Sequence, residues 1–287
     1  MSRAQQLAIQ GVIASQAAAP SYRTAQKASF IDANNQSAEA VWTATAPLGA
    51  ANANIFIAGC FRTPTTYYSV RGWDTLTLFF QGTAWYHTRL FFQKALNVME
   101  FAIYGNSGAP IFTTAPRFNN HATDDLNKAF YYIIGITANS SAYLYYKKET
   151  GALTAWETAA VLSSQTSLAA VDNFRFGSEY SNNYNWAGDA GPHWMRMGTN
   201  YLNGSNQNDV FDDFFGPNAH SDGVSASPRF TTSTGAFTGA ASGTSYPQPP
   251  IFIDWDAHDS LAILDNKGTL SNLGVITGTP TPTYGNF

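Results

Sequence analysis

The stretch Phe130–Lys147 limits the possible folds more than any other. It runs FYYIIGIT, ANSS, AYLYYK. Two runs rich in aromatic and β-branched residues flank a short polar turn, and that pattern specifies a β-hairpin. Side chains alternate along a strand, so Tyr143 and Tyr145 share one face and Leu144 and Tyr146 the other. Both faces are bulky, as in a strand covered on two sides. The hairpin therefore belongs inside a sandwich rather than on a half-exposed sheet.

The flanking sequence repeats this signal. Strands are predicted at Ala28–Asp32, Ala40–Thr45, Ile55–Phe61, Tyr67–Val70, Trp73–Gln81, Trp85–Gln93 and Asn97–Tyr104, and again at Val171–Gly177 and His193–Gly198. Short strands separated by turns at such spacing indicate an all-β chain with an antiparallel two-sheet sandwich or jelly roll. Residues 105–129 read as a loop, and Ala152–Val161 as a strand or short helix. Ser205–Phe215 suits a turn or two of helix, with Asn206 or Asn208 as its cap. Cys60 is the single cysteine, so no disulfide forms within the chain, and its place in a core strand marks it as a small buried hydrophobe.

Three regions follow. Residues 1–20, rich in Ala and Gln and ending at Pro20, form an N-terminal arm with helical character. Arg3 and Ala17–Ala19 imitate a signal peptide, but Gln10 breaks the apolar stretch. Residues 21–215 form the sandwich. Residues 216–287, dominated at first by Gly, Ser, Thr and Pro, form a long irregular C-terminal arm that needs a surface to lie on. The apolar anchors of the arms are Leu7, Ile9, Val12, Ile13, Ile251, Phe252 and Trp255, expected to dock on neighbouring subunits.

The order of segments resembles the concanavalin A-like jelly rolls of the laminin G-like group. The likeness lies in Phe130–Ile136 and Tyr143–Tyr146 around their polar turn. It continues in Asn173–Gly177, the polar loop Tyr184–Gly191 and the aromatic strand Trp194–Met197. It covers residues 25–215, and the glycine that usually follows the tyrosine strand is delayed to Gly151. Modules of this kind recur in bacteriophage virion structural proteins with chain-specific arms. The resemblance implies a jelly-roll fold and a place in a virion, as a capsid decoration, fibre-like or tail appendage protein. Its partners would be other virion proteins and copies of itself.

The chemistry expected is binding rather than catalysis. Charged residues make up 12% of the chain, about half the usual fraction, and the net charge is −4 with no basic block. Phosphate-led nucleic-acid binding is not expected, and no apolar run reaches the length of a membrane span. Gly105–Pro110 has the look of a protease nucleophile loop, but His87 stands too near in sequence to serve as its base, and Asn-Ser-Gly is a natural turn. The five glutamates lack the close pairing of a glycosidase. Asp124 with Asp125, and Asp209 with Asp212 and Asp213, are the acidic groups to weigh for calcium, and each reads better as a loop or helix charge. No catalytic residue, metal or cofactor is therefore expected. Tyr180, Tyr184, Trp186 and Tyr201, interleaved with asparagines, form a patch suited to a subunit interface or a glycan. A carbohydrate-binding, lectin-like module for host recognition is the alternative function.

Overall fold

A computed structural model describes residues 22–30, 39–43, 53–63, 65, 74–79, 89–95, 98–104, 110–113, 126–137, 140–161, 173–176, 188–255, 263–265, 267–269, 273–277 and 283–287. The strands in order are β1 (Gln26–Phe30), β2 (Glu39–Thr43), β3 (Ile55–Arg62), β4 (Asp74–Phe79), β5 (Arg89–Ala95) and β6 (Val98–Tyr104). Then come β7 (Pro110–Thr113), β8 (Ala129–Thr137), β9 (Ser141–Lys148), β10 (Thr154–Val161), β11 (Asn173–Phe176) and β12 (Gly188–Met197). A helix, α1 (Gln207–Phe215), precedes β13 (Phe237–Thr238), β14 (Ser245–Tyr246), β15 (Ile251–Ile253), β16 (Ile263–Asp265), β17 (Leu273–Thr277) and β18 (Thr283–Asn286).

The described chain is mostly β, with antiparallel sheets and one helix. The hairpin forms as expected: β8 pairs β9 from Phe130↔Lys148 to Thr137↔Ser141. The main sheet runs β10-β9-β8-β3-β12-β1-β18. Strand β12 is long enough to share its second edge, pairing β1 at one end and β15 at the other. A four-stranded meander, β4-β5-β6-β7, and a second four-stranded sheet, β11-β2-β17-β16, complete the larger elements. Their edge strands β4 and β11 run side by side. The predicted loop at 105–129 thus contains a strand, β7, paired to β6. Ala152–Val161 resolves as strand β10.

Every residue of β3 but its last is buried, and likewise in β8. Alternation divides these residues between two faces. One face carries Phe56, Ala58, Cys60, Tyr131, Ile133, Tyr145 and Trp194, all in the main core cluster. The other carries Ile55, Ile57, Phe61, Phe130, Tyr132, Ile134 and His193, also buried. Continuous apolar runs, rather than strict alternation, are what such a doubly covered strand requires. The Cys60 side chain is buried, and burial pushes its thiol well above the usual range.

The first face is covered by α1 and the chain that follows it. Phe211, Phe214 and Phe215 point from one side of the helix into the cluster. The Phe214 ring lies 5.2 Å from Phe56, 5.4 Å from Trp194, 5.0 Å from Phe237 and 4.8 Å from Tyr246, mostly edge to face. Asn206 is the N-cap by position, but its side chain bonds backward, donating to Tyr201 O at 2.8 Å.

This packing corrects the expected C-terminal arm. Ile251, Phe252 and Trp255 are buried in the chain's own core at 3%, 0% and 2% exposure. Strand β15 pairs β12 through His193↔Ile253 and Met195↔Ile251. The Trp255 indole donates to Gly191 O at 2.6 Å and the Trp194 indole to Gly235 O at 2.8 Å. Strand β18 pairs β1, so residue 216 is no boundary in the packing. The cause is physical: Phe230, Phe237, Tyr246 and Phe252 are sparse in sequence but converge on Phe214 and its neighbours. The N-terminal arm, with Leu7, Ile9, Val12 and Ile13, and the strand expected at Tyr67–Val70 lie outside the described residues.

His193 occupies the opposite face. Its Nδ1 donates to Gly191 O at 2.8 Å, and its ring lies 5.7 Å from that of Tyr132. Gly59 makes room for both, because a Cβ there would come within 2.4 Å of the imidazole and 2.7 Å of the Tyr132 hydroxyl. Burial holds the imidazole neutral, with its pKa lowered from 6.5 to about 3, opposed weakly by the Gly191 bond.

Two outcomes follow. Deleting residues 216–287 strips the cover from the first face, and the remainder is expected in the insoluble fraction or unfolded by circular dichroism. In the second, the unfolded chain takes up a proton on His193 below pH 6.5 that the folded chain refuses until about pH 3. Stability is therefore lost as pH falls through that window, by about 1.4 kcal/mol per pH unit. Urea unfolding between pH 6 and 4 should show this slope in the parent, and His193→Asn should flatten it by about that amount.

Candidate functional site

At one end of the main sheet, two adjoining cavities form a groove. One of about 270 Å³ is lined by Arg62, Ala129, Tyr131, Glu149, Thr150, Ser225 and Ala226. The other, about 330 Å³, is lined among others by Tyr22, Arg23, Pro228, Arg229 and Phe287. Tyr131 and Ala226 belong to both and form the saddle between them.

Strand ends place these residues. Arg62 closes β3 opposite Ala129, where β8 begins. Glu149 follows β9 with a left-handed backbone at φ 48°, and its N–H donates to Ala129 O at 2.8 Å. Residues 22–25 lead into β1, and Phe287 leaves β18, its N–H donating to Ala25 O at 2.9 Å. Tyr131 packs edge-on against Phe215 at 5.5 Å and Phe287 at 6.0 Å. Burial first, then nearby Cys60, raises its phenol above the usual range, so the hydroxyl stays a donor.

The third wall is the chain after α1, held by buried charge. Lys147 is fully buried, and its Nζ donates to Ala219 O and Ser221 O, each at 2.6 Å. Desolvation lowers its pKa, while Asp222 and Asp212 oppose the shift. Asp212 accepts from the backbone N–H of Asn218 and His220 and from His220 Nδ1. Backbone bonds from Gly223 to Thr150, Ser227 to Phe215 and Arg229 to Phe214 lay the wall against the hairpin and helix. Residues 22–24 are stitched to it in turn, since Arg23 N–H donates to Thr231 O at 2.8 Å and the Thr231 hydroxyl to Arg23 O at 2.7 Å.

Charge and aromatic surface meet at the mouth. Tyr22 is 36% exposed, and the Arg229 guanidinium lies 5.6 Å from its ring centroid. Arg62 lies 5.7 Å over Phe287 and donates to Asn127 O at 3.2 Å. Arg23 pairs with buried Asp254, which Lys267 also approaches at 3.0 Å. Glu149 pairs with Lys128 at 3.1 Å. Among the described residues lining the two cavities, Glu149 is the lone side-chain carboxylate.

Of the patch expected at Tyr180, Tyr184, Trp186 and Tyr201, one residue falls among the described residues. The first three lie outside the described residues. Tyr201 packs into the core, 5.1 Å from Phe56 and 4.9 Å from Tyr246. Asp209, Asp212 and Asp213, weighed above for calcium and read as helix charge, have separate roles. Asp209 is exposed in the first turn, whereas Asp213 accepts from the N–H groups of Ala241 and Ser242, from Ser242 Oγ and from Tyr246 OH. Asp124 and Asp125 lie outside the described residues. Among those described, no three His, Cys, Asp or Glu side chains cluster as metal ligands. The groove residues come from separate strand ends, so no local motif announces them.

No family model matches the chain, and no curated protein matches it in sequence. Solved structures show distant likeness. A native heptameric SAP-like pentraxin from Limulus polyphemus aligns at 10% identity and TM-score 0.47, over 70% of this chain and 88% of the pentraxin. A Bacteroides ovatus protein provisionally assigned to carbohydrate binding aligns at 10% identity and TM-score 0.45, over 92% of this chain and 60% of that one. The binding domain of botulinum neurotoxin DC, solved with SialylT, aligns at 10% identity and TM-score 0.41, over 68% of this chain and 45% of its own length. The architecture described above rests on the strand pairing itself.

Replacing Lys147 with Met tests how the wall is held. The buried Ala219 carbonyl then loses its donor, at a cost of about 1–3 kcal/mol, and the part-buried Ser221 carbonyl loses the same donor at less. Chemical denaturation should report lower stability, and hydrogen exchange should rise first at residues 218–226.

Proposed function

We propose that the chain is a carbohydrate-binding, lectin-like module and that the groove is its saccharide site. The observation that carries this is the composition of the groove: a partly exposed tyrosine beside arginines, hydroxyls and a carboxylate, fixed by strand ends and by the chain after α1. Saccharides present flat apolar patches bounded by hydroxyls. An aromatic surface takes the first, and Arg, Glu, Ser and Thr side chains take the second as donors and acceptors. A concave site with a few convergent polar groups is the usual form of a small-ligand site.

Binding is favoured over hydrolysis by the acid inventory. Cleaving a glycosidic bond normally uses two carboxyl groups, and the described lining supplies Glu149. We further read the eight-stranded sheet and the two four-stranded sheets as the layers of a jelly roll. The setting we propose is a bacteriophage virion, with copies of this chain and other virion proteins as partners and a host-surface glycan as ligand. The low charged fraction, 12%, supports packing among neighbours.

The test is a glycan array probed with the full chain and with Tyr22→Ala. Saccharide signal from the parent that falls at least tenfold in the variant, with thermal stability unchanged, is the expected result. An array without signal overturns the reading.

A further inference from the structure

The charges around the groove do not balance, and the imbalance bears on which saccharides fit. Arg229 stands at the mouth, its guanidinium 5.6 Å from the centroid of the Tyr22 ring, within cation–π range. Among the described residues no carboxylate pairs with it. Its backbone is fixed, because its N–H donates to Phe214 O at 2.7 Å. Its side chain crosses above Gly216, whose position for a Cβ lies 3.4 Å from Arg229 Nε. The residue is thus anchored at its base and open at its tip.

A second surplus lies behind Arg62. Asp189 is shared, accepting from Lys27 Nζ at 2.6 Å and standing 3.8 Å from Arg62 Nε. Ser29 Oγ donates to the same carboxylate at 2.6 Å. One anion therefore serves two cations on that side. Glu149, the carboxylate in the lining, is matched by Lys128. The side chains of the groove carry a surplus of positive charge, on a chain whose net charge is −4.

Resting on the saccharide reading above, we propose that the groove selects anionic sugars, with Arg229 as the residue that receives the carboxylate or sulfate and Tyr22 as the platform beneath the ring. A guanidinium is planar and permanently charged, and it receives a carboxylate or sulfate through two parallel N–H donors. The contact with the Tyr22 ring, 5.6 Å from its centroid, restricts the guanidinium beside the platform before the ligand arrives, so less freedom is lost on binding. A neutral sugar would gain the platform but leave this cation unmatched.

The experiment uses the full chain on an array bearing matched neutral, uronate and sulfated oligosaccharides of one backbone, with Arg229→Gln beside it. The expected result is anionic over neutral signal by at least tenfold, reduced to near parity in Arg229→Gln and by raising salt. Thermal stability of the variant should equal that of the parent, since the guanidinium is exposed. The uronate and sulfate arms show which group is received. Equal binding of neutral and anionic forms overturns this inference and leaves the saccharide reading standing. An anionic preference that survives Arg229→Gln also overturns it, because the anion is then held elsewhere. No binding in any arm overturns both.

Discussion

Two adjacent carboxylates at the end of α1 hold the structure in register. Asp212 and Asp213 sit in the last turn, where the helix dipole disfavours negative charge and the turn itself carries no basic side chain. Both are buried, at 8% and 3% exposure. Burial of a charge at such a place requires donors aimed at it. Asp212 draws in the turn at 218–220, and Asp213 draws in the turn at 241–242 together with Tyr246. Gly239 lies so near that a Cβ there would fall 2.2 Å from the Asp213 carboxyl. The same helix turn inserts Phe211, Phe214 and Phe215 into the core. One short helix thus anchors apolar packing on one side and two loops on the other.

Local and nonlocal information separate along these lines. The hairpin β8–β9 was readable because both strands and their turn lie within one short stretch. The helix was readable, as a turn or two within Ser205–Phe215, from its asparagine cap. The fate of residues 216–255 was not. Its composition is that of a solvated tail, and its few aromatics are too far apart to show a period. What buries them is the ring of Phe56, Trp194 and Phe214, supplied by three other segments. Ile251, Phe252 and Trp255 were recognisable as anchors, but the surface they dock on is their own chain.

The groove illustrates the same limit more sharply. Tyr22, Arg62, Tyr131, Glu149, Arg229 and Phe287 meet because β1 and β18 pair at the sheet edge while the chain after α1 folds back over the hairpin. Remove either closure and the lining disperses. The feature that sequence could have offered is weak: Tyr22-Arg23 and Pro228-Arg229 each place a cation beside a rigid or aromatic neighbour. Tyr201 shows the converse. It sat in a stretch that looked like a surface patch, yet its ring faces Phe56, Trp194 and Tyr246.

Buried ionic anchors contribute little net stability when anchor and partner are counted together, since well-packed apolar groups replacing both usually do as well, whereas removing one alone is costly. Lys147, Asp212 and Asp213 are therefore poorly explained as stabilisers. They explain more as positioning devices. Each fixes backbone carbonyls or N–H groups that no regular strand satisfies, and Lys147 and Asp212 do so at residues 218–221, in the segment that leads to Ser225, Ala226 and Arg229. A loop that is already ordered loses less freedom when a ligand binds. The polar scaffold and the groove can then be read as one arrangement, in which charge buried under the wall holds the charge at the mouth in place.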